Sequence, residues 1–394
     1  MPCWTAPRNW SPVCWRVGTS VRVAIALEFL HQTGGVEKRT SMLARHLMAG
    51  GDEVHIVTRR WDPDLLEGAH FHKAPVHSLF RALKPILFAR RAARVARRLA
   101  PDILHSQTRM LDFDVVTLGV GCHRAYLEYT RGKAEKLSLF DRVTLMLEER
   151  MVRPSAKRMI IANSHMTVQH LECYYGVRPE QTRVVYNGVD MGQLPSETHR
   201  QECREELGIP SGALVVLYVG TGFARKGLPV LVEAASALPD DLRRRTVFLA
   251  AGSGNTHNLL ARLAECPSLD FRFMGKVEGI ERLFAAADVF TLPTLYDPFA
   301  NSTLEALALG VPVITTRMNG VSEILQEGES ALFTQPGDAG SLKGCLEKLL
   351  QDEPLRRRLA QNGREAVRAL TWDKMTRETR QVYEEVLSVR KGRG

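Results

Sequence analysis

Long apolar runs are missing from this 394-residue chain, and none approaches the roughly 18 residues that a membrane-spanning helix needs. Paired cysteines are missing too. Cys3, Cys14, Cys122, Cys173, Cys203, Cys266 and Cys345 are scattered, odd in number and never spaced C-x-x-C, which excludes zinc-ribbon and thioredoxin readings and fits a reducing, cytoplasmic setting. Aromatic residues make up only 7%, with no interleaved aromatic platform or recognition motif, so a nucleic-acid-binding module is disfavoured and no nucleic-acid partner is expected. The nucleotide-site signatures fail as well. Gly34-Gly35, Gly220-Thr-Gly222 and Gly252-Ser-Gly254 lack the third glycine of a dinucleotide fingerprint. In Gly222-Phe-Ala-Arg-Lys226-Gly227 the lysine precedes the glycine, so it is no Walker A loop. Neither H-E-x-x-H nor G-x-S-x-G occurs, which removes zincins and esterases.

What is present is ordinary globular composition, 44% hydrophobic and 25% charged, with a formal charge of +9 that favours anionic partners. The length suggests two domains of roughly 100–200 residues. Residues 1–20 hold Trp4, Trp10 and Trp15 among Pro and Arg, without the apolar core of a signal peptide, and read as a disordered extension or a misplaced start. From Val21 the pattern is strand, Gly34-Gly35 loop, helix, strand: Val21–Leu27, then Val36, Thr40, Leu43 and Leu47 at helical spacing, Gly50-Gly51 as a stop, and Glu53–Thr58. Further strands are expected at 102–105, 115–118, 159–162 and 183–186. A polar stretch from Met191 to Pro210 reads as the interdomain connection. A second series of strands follows at 214–219, 246–251, 270–274, 289–292 and 312–316, and helical patterns fill most of 339–389. The expectation is an α/β protein of two Rossmann-like, doubly wound domains, 21–190 and 191–371, facing a ligand cleft at their strand carboxyl ends.

Two segments carry chemistry. Arg225 and Lys226 follow a strand and precede a helix, where two cations and backbone N–H groups suit a diphosphate; a solvated turn explains them equally well. In Tyr296-Asp-Pro-Phe-Ala-Asn-Ser-Thr-Leu-Glu305, Pro298 keeps Asp297 out of the helix, which starts near Asn301 or Ser302. Glu305 can accept from ribose hydroxyls, yet spacing alone favours a capping box in which Ser302 and Glu305 serve their own helix. Elsewhere, residues 81–100 form a basic helix with Lys84 and a membrane- or acceptor-facing set of Arg90, Arg91, Arg94, Arg97 and Arg98. A solvated surface helix is the alternative.

Asp297 and Glu305, eight positions apart, together with Gly34-Gly35, Asn187-Gly-Val-Asp190, Arg225-Lys226-Gly227, Gly310-Val-Pro312 and Asn319-Gly-Val-Ser-Glu323, resemble in order the retaining GT-B glycosyltransferases of family 4. The likeness runs over nearly the whole chain after Val21 and looks closest to lipopolysaccharide core glucosyltransferases of the glucosyltransferase I type. It implies a GT-B fold whose last helix, 372–394, packs back on the N-terminal, acceptor-binding domain. The implied activity is transfer of a hexose, glucose first, from a UDP-sugar to a lipid-linked or lipopolysaccharide core acceptor. Anomeric retention, no cofactor, no required metal and a peripheral position at the cytoplasmic face of the inner membrane come with it. By position it implies Arg225 and Lys226 on the diphosphate, Glu305 on ribose, and Asp297 with the Phe299, Ala300 and Asn301 backbone on the donor sugar. Gly35 would approach from the other domain, Lys276 and Val277 would meet the nucleobase, and His123 would stand near the transferred sugar. Val120 stands where some relatives have an acidic residue, which leaves the acceptor side open. A nucleotide-sugar epimerase and a non-catalytic sugar-nucleotide-binding subunit are the competing readings.

Overall fold

The computed structural model describes residues 20–31, 34–132, 136–153, 155 and 158–391. The reading of residues 1–20 as an extension lies, but for Ser20, outside the described residues.

Among the described residues two large parallel sheets stand beside a two-stranded pair of Phe29–Leu30 with Arg60–Trp61. The first has seven strands in the order His70–Lys73, Glu53–Thr58, Arg22–Ala26, Ile103–Ser106, Val115–Thr117, Met159–Ala162, Thr182–Val184. The second has six, in the order Asp270–Gly275, Thr246–Ser253, Leu214–Thr221, Val289–Leu292, Val313–Thr316, Leu332–Thr334. In each the first strand lies inside and the order reverses beside it, the arrangement that opens a crevice at the carboxyl ends. The strand Arg22–Ala26 shows why these segments pair: Val23 and Ile25 face one side, Ala24 and Ala26 the other, and all four are buried. Its register with the next strand sets Val23 beside Val54 and Ile25 beside Ile56. Apolar side chains on both faces call for a cover on both faces.

One face is covered by helix Lys84–Arg98 through Phe88, Ala89, Ala92 and Ala96. The other is covered by helix Gly35–Ala49 through Leu43, Ala44 and Leu47, and by the final helix Trp372–Lys391. Trp372, Met375, Val382, Tyr383 and Val386 enter the core of the first sheet, and the Tyr383 hydroxyl lies 2.6 Å from His105 Nδ1. Arg380 pairs with buried Asp52 at 2.9 Å and Arg183 with Glu385 at 2.7 Å. The second sheet has its own core.

Several elements escape the sequence pattern, among them two strands and a helix. The edge strand His70–Lys73 reads His-Phe-His-Lys, and Leu332–Thr334 is three residues long. The supposed connection 191–210 contains helix Glu197–Glu206, whose only buried residue is Cys203. That helix is held by Arg200 and Arg204, which grip Asp288 at 2.6 and 2.5 Å. Charge rather than an apolar stripe fixes it, so the hydrophobic period could not reveal it.

Candidate active site

Arg225 and Lys226 occupy the loop after strand Leu214–Thr221, and Gly227 then opens helix Leu228–Ser236 with φ +77°. A Cβ at Gly227 would collide with the Pro293 carbonyl. The close approach is used: the Arg225 carbonyl accepts from Leu295 N at 2.8 Å and from the Thr294 hydroxyl at 3.1 Å. The two loops at the strand ends are thereby locked together. Arg225 Nη1 donates to the Tyr296 carbonyl at 2.9 Å and to Asp297 Oδ2 at 3.0 Å, and Lys226 Nζ lies 3.2 Å from the same oxygen. Burial would raise the Asp297 carboxyl, but Lys226 and Arg225 outweigh it and hold it below the usual carboxylate range. Asp297 is therefore an anion in a buried place, matched by two cations of which one is in excess.

Asn319 organises the segment that follows. Its Nδ2 donates to Thr303 and Thr315, and its Oδ1 accepts from Ala300 N at 3.2 Å. Phe299 N donates to Asp297 Oδ1 at 3.3 Å. The side chains of Phe299 and Ala300 are buried, their amides bond to Asp297 and Asn319, and helix Asn301–Ala308, which follows, starts without a side-chain cap. The capping box favoured by spacing does not form. Ser302 donates instead to the Val219 carbonyl at 3.0 Å, and Glu305 accepts from Lys38 Nζ at 2.5 Å.

Lys38 belongs to the other domain, and more bonds cross with it. Asn301 Nδ2 donates to the Gly35 carbonyl at 3.3 Å, and Asn301 Oδ1 accepts from Asn187 at 2.8 Å. Cys122 N donates to the Tyr296 hydroxyl at 3.1 Å, and Gly121, at φ +72°, leaves no room for a Cβ beside Tyr296 and Pro298. Glu323 accepts from His165 N at 2.9 Å and Met166 N at 2.5 Å, an anion at the start of helix His165–Tyr175. The Gly35, Arg225, Asp297, Asn301 and Glu305 positions thus converge on one cleft.

His123, next to Cys122, begins helix His123–Arg131. Its Nε2 lies 3.1 Å from Asp141 Oδ1, which orients the ring. Burial, then the Arg109 charge, keeps the imidazole below its ordinary pKa and neutral at pH 7. Beneath it is a residue that sequence reasoning missed. Glu148, fully buried, accepts from His123 N at 2.9 Å, from Arg109 at 2.8 Å and from the Tyr175 hydroxyl at 2.9 Å. Asp141, Thr144, Glu148 and Met151 share the buried face of helix Leu139–Met151. Two acids seven residues apart on one buried face were the available signal. Lys38 gave none. Lys276, exposed, and Val277, half-buried, follow the edge strand Asp270–Gly275 at the carboxyl end of the same sheet, without a bond to the Asp297 cluster.

On a separate surface, Arg90, Arg91, Arg94 and Arg98 are exposed on helix Lys84–Arg98. Arg97 differs: Asp112 holds it at 2.6 Å and Asp114 at 3.3 Å. Leu79, Phe80, Leu83 and Leu87 lie exposed alongside, and the turn Arg81–Leu83 packs on helix Leu139–Met151, which exposes Leu139 and Phe140. No described helix is long and apolar enough to cross a membrane.

Comparison with known proteins matches residues 33–193 to the family described as Glycosyltransferase Family 4 and residues 199–366 to Glycosyl transferases group 1. The chain is 28% identical to the D-inositol 3-phosphate glycosyltransferase of a Nocardioides species over 89% of this chain and 85% of that one. It is 23% identical to the lipopolysaccharide glucosyltransferase WaaG of Escherichia coli over 87% and 93%. The crystal structure of WaaG shares its fold at a TM-score of 0.82, with 21% identity, 91% of this chain and 98% of that one. A structure of Anabaena HepE in complex with UDP-glucose does so at 0.73, with 19% identity over 93% and 100%. The likeness is thus not confined to lipopolysaccharide enzymes. With two doubly wound domains closing on one cleft and a family model over each, the chain belongs to the GT-B-type glycosyltransferases of family 4 and group 1.

Proposed function

We propose that this glycosyltransferase moves a hexose, glucose first, from a UDP-sugar to a lipid-linked or lipopolysaccharide core saccharide, with retention at the anomeric carbon. The observation that carries the donor half is the convergence of Arg225 and Lys226 on Asp297 beside an uncapped helix start. Departure of the nucleoside diphosphate builds negative charge on its β-phosphate. Arg225, Lys226 and the N–H groups at Asn301 stabilise that charge more in the transition state than before it. Asp297 holds both cations at fixed distance, so little reorganisation accompanies the step. Their charge does the work that a divalent ion does in other transferases. Glu305 takes the ribose hydroxyls, and His123, neutral and oriented by Asp141, stands on the acceptor side. Attack from the same face, with the leaving phosphate receiving the acceptor proton, gives retention.

A second acceptor class, a phosphorylated cyclitol, is favoured by the identity to the D-inositol 3-phosphate glycosyltransferase. The exposed arginines and neighbouring leucines suit the cytoplasmic face of an anionic membrane, where a lipid-linked acceptor would lie.

The test is thermal stabilisation by UDP-, GDP- and ADP-sugars without added metal, with NAD as control. A ligand at 100 times its Kd adds about 2.7 kcal/mol. One UDP-sugar should stabilise the wild type and fail with Arg225→Ala and Glu305→Ala, and Arg225→Ala and Lys226→Ala should each lower kcat about 10²-fold. Turnover with a core saccharide or with inositol 3-phosphate then decides the acceptor. Full activity of both cation variants would overturn the donor assignment.

A further inference from the structure

An ion pair joins the two domains at Glu305. Lys38, in the first turn of helix Gly35–Ala49, donates to Glu305 Oε1 at 2.5 Å, with its side chain 33% and that of Glu305 20% exposed. A cation is badly placed in the first turn of a helix, where the backbone already presents positive charge. Burial also works against the ammonium, yet the Glu305 charge, with Asp190 and Glu281 further off, outweighs it and raises the lysine above its ordinary pKa. Lys38 is thus stationed by the acids of the cleft rather than by its own helix. Glu37, one residue earlier, folds its carboxylate over Gly34 at the start of the same helix, so that start also carries an internal anion. Asn301 bonds to Gly35 and Asn187 within the same region, which makes the Lys38–Glu305 pair one clasp of a closed interdomain seam.

We infer that Lys38 is a displaceable stand-in for the ribose of the donor: its ammonium sits on a Glu305 oxygen that a ribose hydroxyl would use, so nucleotide binding and this clasp compete. The inference rests on the reading of Glu305 as the ribose acceptor. A carboxylate offers two oxygens with about four acceptor sites, and vicinal hydroxyls approach both oxygens, so an ammonium on one of them competes for charge and space there. The donor then has to break an ion pair between the domains before it is fully seated, and its affinity is lowered by the strength of that pair. Lys38 is on this account a residue that sets donor affinity and domain opening together, without itself touching the reacting atoms.

The experiment compares wild type with Lys38→Met, Lys38→Arg and Glu305→Gln, using UDP as the probe. Binding is measured by calorimetry, and the separation of the domains by small-angle scattering of the nucleotide-free proteins. Lys38→Met should bind UDP about two- to fivefold tighter, the worth of a partly exposed ion pair, and should scatter as a more open particle. Lys38→Arg should stay near wild type in both respects, and Glu305→Gln should open the particle while binding UDP more weakly. UDP binding that is unchanged or weaker in Lys38→Met, with Glu305→Gln still impaired, would overturn the inference and leave the donor site standing. Loss of UDP binding in wild type and variants alike would overturn the donor site itself, and the inference with it.

Discussion

Glu148 is a carboxylate without exposed surface, set among Arg109, Tyr175 and the amide that starts the His123 helix. Removing it strands a guanidinium and the first amide of a helix, so Glu148→Ala should cost about 3–5 kcal/mol, read by urea denaturation. Burial pulls its pKa up, but Arg109, the His123 amide and Tyr175 pull harder, and the folded value lies below the usual range. A depressed folded value means that stabilisation is complete above the unfolded pKa of about 4.3 and is lost as pH falls through the folded one. The wild type should therefore lose stability on acidification below about pH 4.3 more steeply than Glu148→Gln. Stability that is insensitive to this substitution would show the cluster to be slack. At this scale the sequence told unevenly. Arg225, Lys226, Asp297 and Asn301 stood in one cleft because each follows a strand whose end is predictable from its apolar run. The two buried acids of helix Leu139–Met151 mark a polar face, but Lys38 and Glu148 act by contact with residues 267 and 25 positions away, and no local pattern names those partners.

Among the elements, the central strands were legible because burial on both faces leaves nearly unbroken apolar runs, as at Leu214–Thr221, Met159–Ala162 and Val289–Leu292. The edge strand of histidines and the helix anchored to Asp288 were not, since polar residues form them. Helix Lys84–Arg98 divides its arginines by position. Arg97 faces Asp112 and Asp114, while Arg90, Arg91, Arg94 and Arg98 remain turned outward. If the outward set meets an anionic leaflet, each charge contributes about 1 kcal/mol. Arg90→Glu/Arg94→Glu should then reduce co-sedimentation with phosphatidylglycerol vesicles about tenfold or more, while Arg97→Gln should lower thermal stability and change vesicle binding little. Leu79 and Phe80 add an apolar contact that salt does not screen, so a residue of binding should survive high ionic strength in the wild type and vanish in Leu79→Ser/Phe80→Ser. Equal binding to neutral and anionic vesicles would remove the electrostatic half of this account.

For the whole molecule, the last helix is the telling part. Trp372, Met375, Val382, Tyr383 and Val386 complete the core under the first sheet, and Arg380 neutralises Asp52 beneath them. A chain ending at Thr371 should lose the cooperative unfolding of the N-terminal sheet and leave residues 20–190 open to protease, while the second sheet, with its separate core, keeps its transition. Two unchanged transitions in the shortened chain would refute this dependence. The same helix dictates an order of events during synthesis. The strand Arg22–Ala26 leaves the ribosome early, yet the side chains that seal it are translated more than three hundred residues later. The second sheet has all its strands by Thr334 and its core side chains by Leu370, so it can close before the final helix is complete; the half of the enzyme that is made first is the half that is finished last, and its apolar underside depends on shelter until then.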